Sequence, residues 1–551
     1  MDVSHGYGMQ RINEDAMQTP ASELFKLPEL EGTVTGFRDI CTRPLTDSKT
    51  SPYLFNLTPQ GDNCYLQLNS PTLHATCRIL KASLEPLDQD DDVSIVDMFP
   101  ASLFKTCETS FNNCLVSDMN SLMHNYQLFM QTKLSYSKGA LNTHLQGQMV
   151  IPDDADKFDV VSAKPKALPT VPAKLTEFKE KIYNDRWSTE SIILRSLVEA
   201  EEADKLARGV IEENQPVADV HIPEDTDNLS PEQKQQMVLK ACVDTMAWIK
   251  AKGQFTARNL AEIFVKEALK NSQLNTGYLK RRKIIIKSRK FDFCTPLGSD
   301  IFNCDRLLHP SVDVGIKLGR SEPGFSLLTK STEKFAIDIS DIRLHTRYVE
   351  LDRKTVNEHN AMRLKEPMIY PITRTVMKTY NGGSGEDGKY ISSIYAGKLP
   401  KTMIIGMVES EAFYGSQHKN PWNFQHFNVK RANLVYCGRK LPMEPYCPDF
   451  KNNLYMREYT GFLKALGFDS SSDSGNLITP ELYKGGLFFL AFDFTGDGCN
   501  MFHRHKTELG GIDLDIEFEK PLAKQIKYIV AGHYDACVEI DSSGDCSVNY
   551  L

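Results

Sequence analysis

The sequence predicts a mainly β protein containing two sandwiches of the jelly-roll type, with an α-helical insertion in the first. Three observations carry this reading. Apolar and polar residues alternate with period two over long stretches in both the first 155 residues and the last 280 or so. Turn signals such as NGGSGEDG (381–388) and Cys437-Gly438-Arg439 punctuate the runs. Between the two β zones, residues 156–273 switch to the three-to-four spacing of helix. Many short strands joined by long connections suit sandwiches better than a parallel sheet.

In the first zone Leu66 and Leu68, then Leu73, Ala75, Cys77 and Ile79, alternate with polar His74, Thr76 and Arg78, the pattern of a half-buried strand. One helix interrupts it: Leu122, Tyr126, Phe129, Met130 and Leu134 fall on one face, with Asp118 or Asn120 as the expected N-cap. The middle zone opens with the linker SAKPKALPTVPAK and continues as helix, with Ser188 as a cap between Trp187 and Ile192. Ile193, Leu197, Ala200, Leu206 and Val210 share one face of that helix. A second helix starts at Ser230-Pro231-Glu232-Gln233, and a third carries Leu260, Phe264 and Ala268. In the last zone Ile342, Leu344, Thr346 and Tyr348 alternate with charged neighbours, as do Ile512, Leu514, Ile516 and Phe518. LFFLAFDF (487–494) is apolar on both faces as far as Ala491, which predicts a central strand covered on both sides.

A chain of 551 residues corresponds to about three packing units. With Lys+Arg 64 against Asp+Glu 72, the net charge of −8 argues against a main surface that grips nucleic acid. No apolar run approaches the length of a membrane span, and MDVSHGYGMQRINEDAM has neither a basic nor an apolar leader region. A soluble, non-secreted protein is expected. The 13 cysteines are odd in number, include no CxxC pair, and read as reduced thiols.

Chemical motifs are few. Asp493-Phe494-Thr495-Gly496-Asp497-Gly498 looks like a calcium loop, but Arg504 stands where the twelfth-position carboxylate would be, so a hairpin turn is expected. His503 and His505 have no third ligand nearby and read as a solvated loop. Neither GxSxG nor HExxH occurs. The strongest charge cluster is Lys280, Arg281, Arg282 and Lys283, followed at once by three isoleucines. It is open to three readings: a nuclear-import signal, a surface facing nucleic acid, or charge protecting a strand edge.

Longer strings carry a family resemblance. HKNPWNFQH (418–426) resembles the KNPFNFQHY-like segment of double jelly-roll major capsid proteins of the Polinton/Maverick and adintovirus-like family. Supporting segments follow in the expected order: CYLQLNSPTLHATCRI (64–79), YQLFMQTKLSYSKGALNTHL (126–145), NTGYLKRRK (275–283), DIFNCDRLLHPSVDVGIKLGRS (300–321), YPITR (370–374), GKLPKTMIIGMV (397–408), REYTGFLKALG (457–467), LFFLAFDFT (487–495) and HYDACVEID (533–541). Two departures stand out. The 156–273 zone is far larger than the corresponding connection in such proteins, and EIDSSGDCSVNY lacks the arginine that usually follows EID.

The resemblance implies a hexon-like structural protein whose two jelly rolls stand side by side. It would have an N-terminal arm (1–35), a first roll (36–155 and 274–352) and a second roll (353–551). The insertion at 156–273 would form an outer tower or cap. The implied function is a capsid shell of homotrimeric, pseudo-hexameric capsomers, with no catalytic residue, cofactor or metal. Expected partners are further copies of the chain, penton or minor capsid proteins, and a host receptor met through the insertion. Neither a membrane span nor sequence-specific nucleic-acid binding is expected. The protein would be made in the cytoplasm, assembled in the nucleus and located in the virion. Pro421, Trp422 and Phe424 are expected to serve assembly, both rings packing on one side of a strand, into the second sandwich or a trimer contact; Phe492 and Asp493 join them as structural candidates. A minor capsid or spike protein, a β-sandwich enzyme or carbohydrate-binding module, and a host gene that kept the fold but lost the shell remain as alternatives.

Overall fold

In the computed structural model, which describes residues 32–47, 51–89, 91–117, 123–161, 275–468, 475–495 and 508–551, the first sandwich draws its strands from both sides of the 162–274 segment. Its strands are β1 (Val34–Thr42), β2 (Tyr53–Leu57), β3 (Cys64–Gln67), β4 (Thr72–Lys81), β5 (Val93–Ile95), β6 (Phe104–Phe111) and β7 (Cys114–Leu115) before that segment. After it come β8 (Phe291–Pro296), β9 (Leu307–Leu308), β10 (Val314–Arg320), β11 (Leu327–Thr329) and β12 (Phe335–Leu351). One sheet runs β8-β4-β12-β3-β9 with β1 also on β12; the facing sheet runs β2-β10-β6-β7; β11 and β5 form a short pair. The period-two reading holds at register level. Leu73 pairs with Leu344, Ala75 with Ile342 and Cys77 with Ile339, and all six side chains are buried. Fully burying a side chain such as Ile339 contributes roughly 1.5–3 kcal/mol.

The second sandwich contains β13 (Met368–Gly382), β14 (Gly388–Lys398), β15 (Thr402–Glu409), β16 (Val429–Tyr436), β17 (Arg439–Tyr446), β18 (Phe489–Asp493), β19 (Leu509–Phe518), β20 (Ile526–Ile540) and β21 (Cys546–Tyr550). Its sheets run β13-β20-β15-β18, with β21 also on β20, and β14-β19-β16-β17. The 381–388 turn therefore carries the chain from one sheet to the other rather than closing a hairpin. The alternation predicted for 512–519 is the buried face of β19.

The two sandwiches share a core. Tyr370 and Ile372 of β13 and Ala536, Val538 and Ile540 of β20 belong to the same buried cluster as Tyr53, Ile79, Phe111 and Ile339 of the first sandwich. β20 reaches that position because it pairs with β13 along its whole length, from Met368 opposite Ile540 to Gly382 opposite Ile526.

Among the described residues, four longer helices complete the frame: α1 (His124–Ser135), α2 (Thr276–Ile285), α3 (Arg353–Arg363) and α4 (Met456–Ala465). α3 links the sandwiches and is capped by the Asp352 side chain, which accepts from the Lys354 and Thr355 amides. Among the described residues no helix is long and apolar enough to cross a membrane.

Three local expectations are corrected. β18 is not central: among the described strands it pairs with β15 alone. Its residues are nonetheless buried through Phe492, because α4 lies over it, with the Phe462 and Phe489 rings 6.4 Å apart. α1 begins at His124 after Met123, which provides no side-chain cap; Asp118 and Asn120 lie outside the described residues. The run Lys280–Lys283 is the middle of α2, not a strand edge. The Asn275 side chain accepts from the Gly277 and Tyr278 amides and starts a helix that the following isoleucines only finish. The helices expected within 162–274, with Trp187, Ser188, Ile192 and Ser230, and the histidines His503 and His505, lie outside the described residues.

Candidate functional site: the seam between the sandwiches

The second sandwich sends one loop, residues 415–428, against the first. Pro421 and its neighbours turn there instead of extending, so Trp422 and Phe424 are not the same-face residues of a strand. The Trp422 ring, fully buried, stacks on Phe129 of α1 with centroids 4.3 Å apart and planes 7° from parallel. Tyr126 and Phe325 close two of its edges at 5.3 and 5.5 Å. Phe424 sits between Phe129 (5.8 Å) and Phe489 of β18 (4.5 Å). The ring needs a glycine beneath it, since a Cβ on Gly406 in β15 would come within 2.5 Å of Phe424. These two rings therefore plug the junction, Trp422 against Phe129 and Phe325, and Phe424 also against Phe489 of the second sandwich.

A polar network surrounds the plug. Trp422 Nε1 donates to the Asp97 carbonyl at 2.7 Å. The Asp97 carboxylate accepts from Lys133 Nζ at 2.6 Å and from the Met98 and Ile151 amides at 2.8 and 2.7 Å. Both side chains of this ion pair are almost wholly buried, at 2% and 4% exposure, so its charge-assisted bonds are essential to offset desolvation. Next to it, Asp153 accepts from the Arg281 guanidinium, from Asn275 Nδ2 at 2.7 Å and from Asn420 Nδ2 at 2.8 Å. Arg281 also donates to the carbonyls of Ile95 (2.8 Å) and Ile151. Burial pushes the Asp153 carboxyl up and Asp97 adds to that, while Arg281 and the Asn275 amide pull it down without cancelling the rise. At the rim, Asp159 accepts from the Asn420 amide (2.9 Å), Lys419 Nζ (3.1 Å) and Asn423 Nδ2 (3.0 Å). Burial works against the Glu409 carboxylate, yet Lys524 and Lys419 together hold it below its usual range.

The same network joins the two sides of the 162–274 segment. Asp154 accepts from the Thr276 amide at 2.8 Å and from its hydroxyl at 2.5 Å, and Asn275 Nδ2 donates to the Lys157 carbonyl at 2.9 Å. α2 rests close upon residue 152: a Cβ on Gly277 would stand 2.3 Å from the Pro152 carbonyl oxygen. Chain exit, chain return and second-sandwich loop thus meet at one point.

Of the sequence-predicted residues, Pro421, Trp422 and Phe424 lie in the seam, and so does Arg281. Lys280 and Lys283 are exposed on the outer face of α2, and Arg282 donates to the Asp91 and Gln89 carbonyls. Phe492 and Asp493 stand apart on β18, where Phe492 packs on Tyr446 at 5.9 Å and Asp493 accepts from Thr495. Sequence reading missed Asp97, Lys133, Asp153, Asn275 and Asn420. A usable signal existed for part of the set: Asn275 precedes a helix whose Tyr278, Arg281 and Ile285 share one face at spacings of three and four. The arrangement locks two sandwiches at one relative orientation, each buried charge being spent on a named partner. Among the described residues no three His, Cys, Asp or Glu side chains are grouped to hold a metal ion.

His124, at the start of α1, is 5% exposed, and burial holds its pKa down to about 4. Its neutral form belongs to the folded state. As pH falls from about 6.5 toward 4, the unfolded chain takes up a proton that the folded chain refuses, so stability is lost across that window. Between pH 7 and 5 this one group should cost about 2 kcal/mol. Urea midpoints measured at both pH values test it; equal midpoints would count against the neutral, buried ring.

No family model matches the sequence. Among curated proteins, the uncharacterized protein F54H12.2 of Caenorhabditis elegans is 24% identical over 231 residues, 41% of this chain and 55% of that protein. The chain thus spans about half the length of the curated relative it matches. Among solved structures, a chain of the Sputnik virophage cryo-EM structure superposes with a TM-score of 0.51 at 10% identity, covering 97% of this chain and 92% of that one. The mavirus major capsid protein gives 0.48 at 10% identity, with 97% and 94% covered. The Sputnik likeness is one of fold, and it extends over both sandwiches.

Proposed function

We propose that this chain is the major capsid protein of an icosahedral DNA virus or virus-like element. Three copies close into a pseudo-hexameric capsomer, and capsomers tile the shell. The observation that supports this most is the core shared by two side-by-side jelly rolls. A rigid pair presents two similar edges, and three pairs present six, the outline a hexagonal lattice requires. Heterologous contacts that close on themselves need no fourth chain. Likeness of fold to a chain from a virophage particle supports the same reading. Phe37, Leu364, Met443 and Leu509, between 63% and 90% exposed, supply apolar surface for such contacts.

The HKNPWNFQH string supports an origin in the Polinton/Maverick and adintovirus-like family. With a net charge of −8, the shell leaves DNA condensation to basic internal proteins. The role is structural rather than enzymatic, with no cofactor. Its partners are copies of itself, penton and minor capsid proteins, and a host receptor reached through the 156–273 insertion. Assembly takes place in the nucleus, and exposed Lys280 and Lys283 are available to an import receptor. Light scattering on a chromatography peak should give three times 62.3 kDa. Interfaces on the order of 2,000 Å² or more should hold that trimer together, and negative-stain micrographs should show hexagonal outlines. A stable monomer at micromolar concentration would overturn the reading.

A further inference from the structure

Away from the plug, the two sandwiches also touch at their hairpin tips. The tip of the β6–β7 hairpin meets the tip of the β20–β21 hairpin, where Asn112 Nδ2 donates to the Gly544 carbonyl at 3.0 Å. Cys546 Sγ lies 3.7 Å from the Phe111 carbonyl oxygen. Phe111 stands opposite Cys114 across the β6–β7 register, so Cys114 and Cys546 approach one stretch of backbone from two sandwiches. Burial pushes the Cys546 thiol up to about 11, and the nearby Cys114 adds to that rise. Both thiols are free and half-buried, which admits a small reagent while holding each side chain against its neighbours. Cys546 further packs on the shared core, together with Val548 and Tyr550 of its strand. Residues opposed across a hairpin, as Phe111 and Cys114 are, have Cα atoms about 5 Å apart, so Cys114 stands beside the backbone carbonyl that Cys546 approaches.

We propose that Cys114 and Cys546 are the two halves of a disulfide staple between the sandwiches, formed by exchange with a low-molecular-weight disulfide such as oxidised glutathione. One protein thiolate attacks a glutathione sulfur, forming a mixed disulfide as one glutathione thiolate leaves. The second protein thiolate attacks the protein sulfur of that bond, and the second glutathione thiolate leaves. Two protein thiols thereby lose two protons and two electrons, and the electrons reduce one small disulfide to two thiols. In a reducing cell both cysteines stay free during folding; on exposure to oxidising surroundings the staple closes. It joins β7 to β21, positions far apart in sequence, and so opposes separation of the two sandwiches in the unfolded chain.

The test uses the purified full chain incubated with oxidised glutathione, alkylated, digested without reduction and mapped by mass spectrometry. A peptide pair linked through Cys114 and Cys546 is expected, with a melting temperature at least a few degrees above that of the reduced protein. Cys114→Ser and Cys546→Ser should each abolish both the linked pair and the oxidation-dependent shift. Complete alkylation of both thiols, separate glutathione adducts on each, or a link between chains would overturn the proposal. Should Cys546→Ser fold poorly against the core, Cys114→Ser decides the matter alone, since its hairpin ends beside exposed Leu115.

Discussion

Trp422→Ala is expected to lower the unfolding free energy by about 3–5 kcal/mol, the range for removing a large buried aromatic. Three losses combine. The stack on Phe129 disappears, the space between Tyr126 and Phe325 is left empty, and the Asp97 carbonyl loses its donor. Trp422→Phe keeps most of the stack but not the donor, so it should cost less, about 1–3 kcal/mol. Because the core shared by the two sandwiches persists in the alanine variant, unfolding should stay cooperative at a lower midpoint. Guanidinium titration followed by intrinsic fluorescence measures both effects. A single transition at the parental midpoint would show that the ring is not the plug.

The second large effect is expected at the buried ion pair. Arg281→Met leaves Asp153 with its asparagine donors but no counter-charge, at 0% exposure, and should cost about 3–5 kcal/mol. Pairing the change with Asp153→Asn removes the stranded charge along with its partner. The double variant should therefore be more stable than Arg281→Met alone, although two side chains are altered rather than one. Denaturation midpoints of the parent, both single variants and the double complete the cycle. If the double is the least stable of the four, the pair was not acting as a charge pair.

These two sites differ in how far they could be read from sequence. The strands were legible wherever one face is buried and the other wet, as in β4, β12 and β19, because period two is then written in the residue types. It failed at β18, whose burial comes from α4 lying on an edge strand, and local sequence does not say whether a strand or a helix covers an apolar run. At the seam, the spacing of Trp422 and Phe424 suggested a strand, while Pro421 and the Asn420 side chain make a turn that buries both rings. Phe129 and Asp97, which give the tryptophan its place, are remote in sequence and could not be paired with it from one chain. Arg281 was hidden for a different reason. Amid Lys280, Arg282 and Lys283 it looks like one more solvated cation, and only the helical register set by Asn275 turns it inward.

β20 has a further consequence, for the order of events at the ribosome. Its far end, with Ala536, Val538 and Ile540, forms part of the wall around the first sandwich's core, although that sandwich's own strands are complete by Leu351. A nascent chain that has emerged only that far exposes apolar surface with nothing to cover it, and must wait for nearly two hundred more residues. Premature stops anywhere in that interval yield chains whose first half cannot finish its interior, and such chains are natural clients of chaperones and proteases. Subunits with an unfinished second half are thereby denied a finished first half as well.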